Sequence, residues 1–272
     1  MKYKIDHDYH IHSCLSPCSG DPNQTPERIL REARESGFTS ICITDHFWDS
    51  AVVSQIDKPG FYEGLDYEHI SKSLPLPQSE DTRFYFGCEC DLLRDMTLGI
   101  STNLIDKMDL VVISSNHFHM GDPVLAEEDR PLDRRAKVLL NRLRGILDMD
   151  IPHRKFGIAH LTDFLMAPAT KTDHIEVVNM WPEDDLKDIF GKAAKLGVGI
   201  ELNIEVENYT PDQLDMIMRP YRIAAECGCK FYLGSDVHQV GMCGTMLRRF
   251  NRIVDMLSLE EEQKFHIPER KS

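Results

Sequence analysis

Asp8-Tyr9-His10-Ile11-His12-Ser13 closes a β-prone run that begins at residue 3, and its reading decides the fold. Residues two apart on a strand face the same side, so His10 and His12 can grip one ion. Six further β-prone runs follow, at residues 39–44, 84–90, 109–114, 155–159, 198–203 and 230–234, with a weaker eighth candidate at 175–180. Helical patterns separate many of the runs, and strands alternating with helices imply parallel βαβ units. Each run ends in, or is soon followed by, a residue able to bind a cation. In order these are His10 and His12, Asp45 and His46, Glu89, His117 and His119, His160, Glu201, then Asp236 and His238. In a parallel α/β barrel the C-terminal ends of all strands meet at one mouth, so these separated positions become one site.

Helix signals fill the intervals. Thr25-Pro26-Glu27 offers an N-cap with proline in the first turn, and Gly37 closes that helix. Residues 182–196 carry acids early and lysines late, with Gly197 after, which suits the helix dipole. Residues 134–147 form a third amphipathic pattern, and in 211–227 Pro220 should kink or split the helix. Residues 47–83 are too long for a tight crossover and hold Pro59, Gly60, Pro75 and Pro77, with one short helix expected near 66–74. Such an excursion is either a lid over a site or a surface insertion. Residues 1–260 then make one barrel domain with a lid insertion at 47–83, and the charged tail 261–272 is expected to fray.

Length and charge restrict the function. A chain of 272 residues with 42% hydrophobic and 28% charged residues can bury a sizeable core as one α/β domain. A formal charge of -14 repels phosphate backbones, so binding of long nucleic acid is disfavoured, although bound cations reverse that sign locally. The N-terminus lacks an apolar signal region and no stretch approaches membrane-span length, which points to a soluble cytoplasmic protein without a membrane partner. Eight cysteines in that setting read as reduced thiols, and the pairs Cys88/Cys90 and Cys227/Cys229 lack zinc-knuckle spacing.

A single histidine at a strand end is more often a hydrogen-bonded structural residue than a ligand. The repetition is what a structural reading does not explain. Imidazole mixed with carboxylate suits zinc, manganese, iron or cobalt, and the ligands exceed what one ion needs, so two or three divalent metals are implied. Such a cluster meets both needs of phosphate-ester hydrolysis, an ionised water near neutral pH and positive charge on the phosphoryl and leaving oxygens. No Gly-X-Ser-X-Gly elbow, P-loop or dinucleotide fingerprint lies where a strand meets a helix. Gly87-Cys88-Glu89 could suggest a cysteine nucleophile, but nothing singles out its base.

These residues resemble the PHP family, the polymerase and histidinol phosphatase superfamily. Asp8-Tyr9-His10-Ile11-His12-Ser13 is similar to its first motif and Ile43-Thr44-Asp45-His46 to its second. Gly87-Cys88-Glu89, Ser115-Asn116-His117-Phe118, Ile158-Ala159-His160 and Gly234-Ser235-Asp236-Val237-His238 complete the set in family order. The resemblance implies a distorted seven-stranded TIM-like barrel and a trinuclear centre. His10, His12, Glu89 and Asp236 would hold the first metal, Glu89 would bridge to a second held by His117 and His160, and His46 and His238 would bind the third. Glu89, Asp236 and His238 are thereby candidates for catalysis as well as ligation. Where the family places another third-metal ligand, this chain has Pro17 and Cys18, so Cys18 as a thiolate or Asp21 slightly further on would complete that site.

Asp45 is read as orienting His46 or a neighbour rather than binding metal, His119 as a helper in proton transfer or substrate contact or else a solvated loop histidine, and Glu201 as structural at the barrel rim. His7, His69, His153, His174 and His266 have no motif support. The resemblance makes a small phosphorylated metabolite the expected partner, with histidinol phosphate the leading candidate. The arginine-bearing segment expected after the sixth strand is missing, and residues 204–210 are acidic instead. A phosphodiesterase or exonuclease using the same metals is the alternative, and a non-catalytic metal-binding barrel the third.

Overall fold

The computed structural model describes residues 1–56, 60–242 and 245–269. Eight strands are found among them: β1 His7–Ile11, β2 Ser40–Ile43, β3 Arg83–Phe86, β4 Cys88–Asp91, β5 Val111–Ser114, β6 Phe156–Ile158, β7 Gly199–Leu202 and β8 Lys230–Leu233. All pair in parallel, in two sheets ordered β1-β2-β3 and β4-β5-β6-β7-β8. The expected single seven-stranded barrel is corrected on strand number, because the run at 84–90 divides at Gly87. A Cβ there would lie 2.5 Å from the Leu110 carbonyl oxygen and 2.9 Å from Cys42 Sγ, so only glycine lets the chain pass between the two strands. Single parallel bridges link the sheets where the strands end, Ile11 with Val237 and His46 with Glu89.

The α-helices are α1 Pro26–Glu35, α2 Ser50–Val53, α3 Tyr67–Ile70, α4 Thr102–Ile105, α5 Leu132–Asp148, α6 Asp173–Asn179, α7 Glu183–Leu196, α8 Pro211–Glu226 and α9 Met246–Leu257. Thr25 caps α1 by accepting from Arg28 N–H, and Gly197 ends α7 in the left-handed region at φ 78°. The weak strand candidate at 175–180 is helix α6 instead. Its buried residues His174, Ile175, Val177 and Val178 share one face at helical spacing, which outweighs their β-propensity. Pro220 does not split α8, as Ile217, Met218 and Tyr221 are buried around it and Arg219 holds the Val178 and Trp181 carbonyls. Tertiary packing overrides the lost backbone bond.

The strands are almost wholly buried, as parallel strands are when helices cover them. His7, which has no motif, is structural: its Nε2 accepts from Leu233 N–H at 3.1 Å and so ties β1 to β8. The tail expected to fray is packed as far as it is described. Phe265 N–H donates to the Phe231 carbonyl at 2.7 Å, Phe265 and Ile267 are buried, and Lys264 pairs with Asp6 and Glu261 at 2.9 and 2.7 Å. Residues 270–272 lie outside the described residues. So does Cys243, and the other seven cysteines are free thiols. Among the described residues no helix is long and apolar enough to cross a membrane.

Candidate metal centre

Burying charge is costly unless it is paired, so a concentration of buried His, Asp and Glu at one end of the strands calls for a reason. His10, His12, Glu89, His160 and Glu201 are each at most 2% exposed there. β1 delivers His10, His12 follows directly at its end and β4 delivers Glu89, while the turns after β2, β5, β6 and β8 deliver His46, His117, His160 and Asp236 with His238. Two of these residues sit at positive φ, His160 at 28° and Asp236 at 56°. Such backbone is expensive for non-glycine residues and is held where surrounding structure imposes it.

Three groups of ligand-type atoms result, each drawn together within 4.8 Å: His10, His12, Glu89 and Asp236; Glu89, His117 and His160; and His12, His46 and His238. Glu89 lies at the centre. Its Oε2 faces His46 Nδ1 at 3.0 Å, His12 Nε2 at 3.4 Å and His10 Nε2 at 3.5 Å, and its Oε1 faces His160 Nε2 at 3.0 Å and His117 Nε2 at 3.8 Å. Asp236 Oδ1 stands 3.0 Å from His12 Nε2 and 3.5 Å from His10 Nε2.

The outward ring nitrogens show which way each imidazole presents its lone pair. His10 Nδ1 meets Glu201 Oε1 at 2.6 Å, His12 Nδ1 meets Ser16 Oγ at 2.8 Å, and His160 Nδ1 meets Asn116 Oδ1 at 2.9 Å. His117 Nδ1 lies 2.7 Å from Asp91 Oδ1, and His238 Nδ1 is 2.7 Å from the Asp236 carbonyl. With these nitrogens donating, the Nε2 lone pairs of His10 and His12 point at each other across 3.1 Å. Glu89 Oε2 is buried without a hydrogen-bond partner among the described residues. Opposed lone pairs beside an orphaned carboxylate oxygen are what a divalent cation satisfies, so the residues present fit metal binding.

Electrostatics agree. Burial raises the Glu89 carboxyl, but the His46 and His10 rings outweigh it and hold the group well below its ordinary range. Burial also lowers His160, yet the facing Glu89 carboxylate overcomes it and lifts the ring to about 9. His238 is depressed to about 4 by burial and by His12, whose ring stacks on it at 4.1 Å.

The structure separates the remaining candidates. Cys18 is exposed and within hydrogen-bonding reach of His46, but it is not part of the three groups. Asp21 accepts from Asn23 and Val240 and is also outside them. His119 is exposed, set edge-on to His117 at 5.3 Å, and depressed to about 4 by burial and by the His117 charge. Asp45 does not hold His46. It accepts from Ser13 and Ser16, and through Ser16 Oγ it orients His12. Glu201 is not a rim residue either: it is fully buried, bound to His10 Nδ1 and His160 N–H. A Cβ on Gly234 would collide with its carboxylate, which accounts for that glycine. Asp91 and Ser16 carry no ligand signal in the sequence, and Asn116 stands in the Ser115-Asn116-His117-Phe118 motif without a role of its own. The one cue was alternation, since Asp91 lies two residues beyond Glu89 on the same strand face. His69, His153 and His174 bond to Leu15, Ile146 and Tyr209 away from the centre, and His266 is exposed.

Parallel strands with polynuclear-type ligand groups at their C-terminal ends define an α/β protein equipped to hold divalent metals. No protein-family model and no curated protein sequence matches the chain. Among solved structures, histidinol phosphate phosphatase from Lactococcus lactis subsp. lactis Il1403, complexed with zinc, L-histidinol and phosphate, is similar over 96% of this chain and 98% of its own, at TM-score 0.60 and 15% identity. A putative histidinol phosphatase from Listeria monocytogenes is similar over 86% and 96%, at TM-score 0.59 and 16% identity. The chain shares their fold.

Proposed function

We propose that the chain is a metal-dependent hydrolase of a small phosphate monoester, with histidinol phosphate as the leading substrate. The observation that carries this is Glu89, whose two oxygens face five imidazoles belonging to three ligand groups, an arrangement made for bridging metals. The zinc, L-histidinol and phosphate bound by the fold neighbour support the same reading. His10, His12, Glu89 and Asp236 would hold one ion, Glu89, His117 and His160 a second, and His46 with His238 a third, with Cys18 beside His46 as a further donor. Zinc, manganese, iron or cobalt bound there would supply activated water and neutralise charge on the phosphoryl group.

The protein's own contribution is orientation. Glu201, Asn116 and the Ser16–Asp45 pair hold the outer nitrogens of His10, His160 and His12, which aims the inward nitrogens at the space a cation would fill. His119, set edge-on to His117 at 5.3 Å, would contact the substrate from the rim of the site. From the described part of the excursion, Phe61 stands edge-on to His46 at 5.3 Å, and a ring there would help exclude water around a small substrate.

A monoester needs room for one small leaving group, whereas a diester needs an open groove on both sides of the scissile bond. Histidinol phosphate and p-nitrophenyl phosphate should therefore turn over faster than bis(p-nitrophenyl) phosphate or single-stranded DNA at equal concentration and metal loading. Preference for either diester would replace the monoesterase reading with a phosphodiesterase or exonuclease.

A further inference from the structure

Arg142 occupies a position where α5 would be expected to carry an apolar residue. It stands in the buried stripe of that helix with Leu139, Leu143 and Ile146 and is 2% exposed. Among the described lysines and arginines, Lys264 alone is buried with it. A guanidinium removed from water is costly unless its donors and its faces are all occupied, so what it holds is informative.

It holds the loop that follows β5. Nη1 donates to the Ser115 carbonyl at 2.9 Å, Nη2 donates to the Val124 carbonyl, and the guanidinium lies 4.9 Å over the ring of Phe118. One planar group thereby ties the start of residues 115–124 to their end, with the Phe118 ring beneath it. His117 sits between these contacts, two residues after Ser115 and one before Phe118. In the same loop Asn116 donates to the His160 carbonyl at 2.7 Å and meets His160 Nδ1 at 2.9 Å. The loop therefore carries one imidazole of the group Glu89, His117 and His160 and braces the other. A lysine could reach one of the two carbonyls, but it has neither the second donor arm nor the flat face that lies over the ring. Burial pulls the guanidinium down to about 10 against the opposing charge of Asp91, which still leaves it protonated at neutral pH.

We propose that Arg142 is a positioning residue for the metal site formed by Glu89, His117 and His160. By clamping residues 115–124 it fixes His117 against Glu89, and so sets how tightly this site, rather than the other two, holds its ion. The proposal rests on the metal-centre reading, and it is tested by metal affinity rather than turnover.

The test is stepwise extraction of zinc from loaded protein with chelators of graded strength, using His117→Ala to mark which equivalent belongs to this site. In Arg142→Lys the marked equivalent should leave at a free-zinc concentration at least about tenfold higher than in the wild type, the usual effect of losing a group that orients a ligand. The other equivalents should stay within about threefold. Adding Arg142→Lys to His117→Ala should cost no further equivalent, because the site it positions is already gone. An unchanged profile in folded Arg142→Lys, or an equal weakening of every equivalent as a general loss of stability would give, would overturn the proposal. If circular dichroism shows that Arg142→Lys does not fold, Phe118→Leu decides, since it withdraws the ring and leaves both carbonyls in reach. The marked equivalent should then weaken selectively by at least about threefold, and no selective change would overturn the proposal. Fewer than two equivalents of zinc in the wild type would refute the metal-centre reading and the proposal with it. Two or more equivalents without selective loss in the variants would refute the role of Arg142 alone.

Discussion

Glu89 belongs to two of the three ligand groups and faces His46 of the third, with one oxygen towards His10 Nε2 and the other towards His160 Nε2. Glu89→Gln keeps the shape and removes the charge that two cations would share. It should cost at least one bound metal per chain and about 100-fold or more in phosphatase turnover, while circular dichroism stays that of the wild type. Near-normal turnover would mean the bridge is misassigned. Most of the ligand-type residues of this centre were legible in the sequence because they stand at or just past a strand end, where parallel topology brings distant positions together; Glu89 lies within β4. Their supports were not. Asp91, Asn116 and Ser16 act by one hydrogen bond or close contact each, and Glu201 looked structural until its carboxylate was found on His10 Nδ1. Such partners are set by packing distances, on which a sequence pattern is silent.

At the scale of elements, the misread features are those where tertiary contacts decide. The 84–90 run has continuous β-propensity, yet it divides at Gly87 because the Leu110 carbonyl approaches too closely for a side chain. Gly87→Ala should therefore destabilise the fold by about 1–3 kcal/mol in urea denaturation, the usual cost of overpacking. A loss below about 0.5 kcal/mol would show that the neighbouring strands yield easily. The C-terminal segment looked like a frayed tail because charge dominates its composition, but Lys264 is buried against Asp6 and Glu261. Burial would raise Asp6, and hydrogen bonds to His7 and Lys264 overcome that to bring it down to about 2. A depressed acid stabilises the fold above its unfolded pKa of about 4, and the contribution disappears as pH falls towards about 2. Asp6→Asn should accordingly cost about 1–2 kcal/mol at pH 7 and little at pH 2, read from paired denaturation curves. An equal cost at both values would remove the ion pair from the account.

For the whole molecule, the charge of -14 and the acidic centre pose one question: what balances the negative charge where a phosphate ester would have to bind. Arg142 is buried beside this region but is held on the Ser115 and Val124 carbonyls, and the groups facing Glu89 are imidazoles that gain charge only by taking up protons. Divalent ions answer the question, since each adds two charges and relieves the facing lone pairs of His10 and His12. The α/β class and the convergence of strand ends were legible from the alternation of runs and helices. The division into two sheets was not, because it depends on a close approach at one glycine. Likeness to solved structures over 96% of the chain at 15% identity shows that this fold tolerates replacement of most of its residues. Elemental analysis of protein purified without chelators tests the central claim most directly. Two or more equivalents of transition metal per chain, falling by at least one in Glu89→Gln, is the predicted result, and less than one equivalent in the wild type would contradict it.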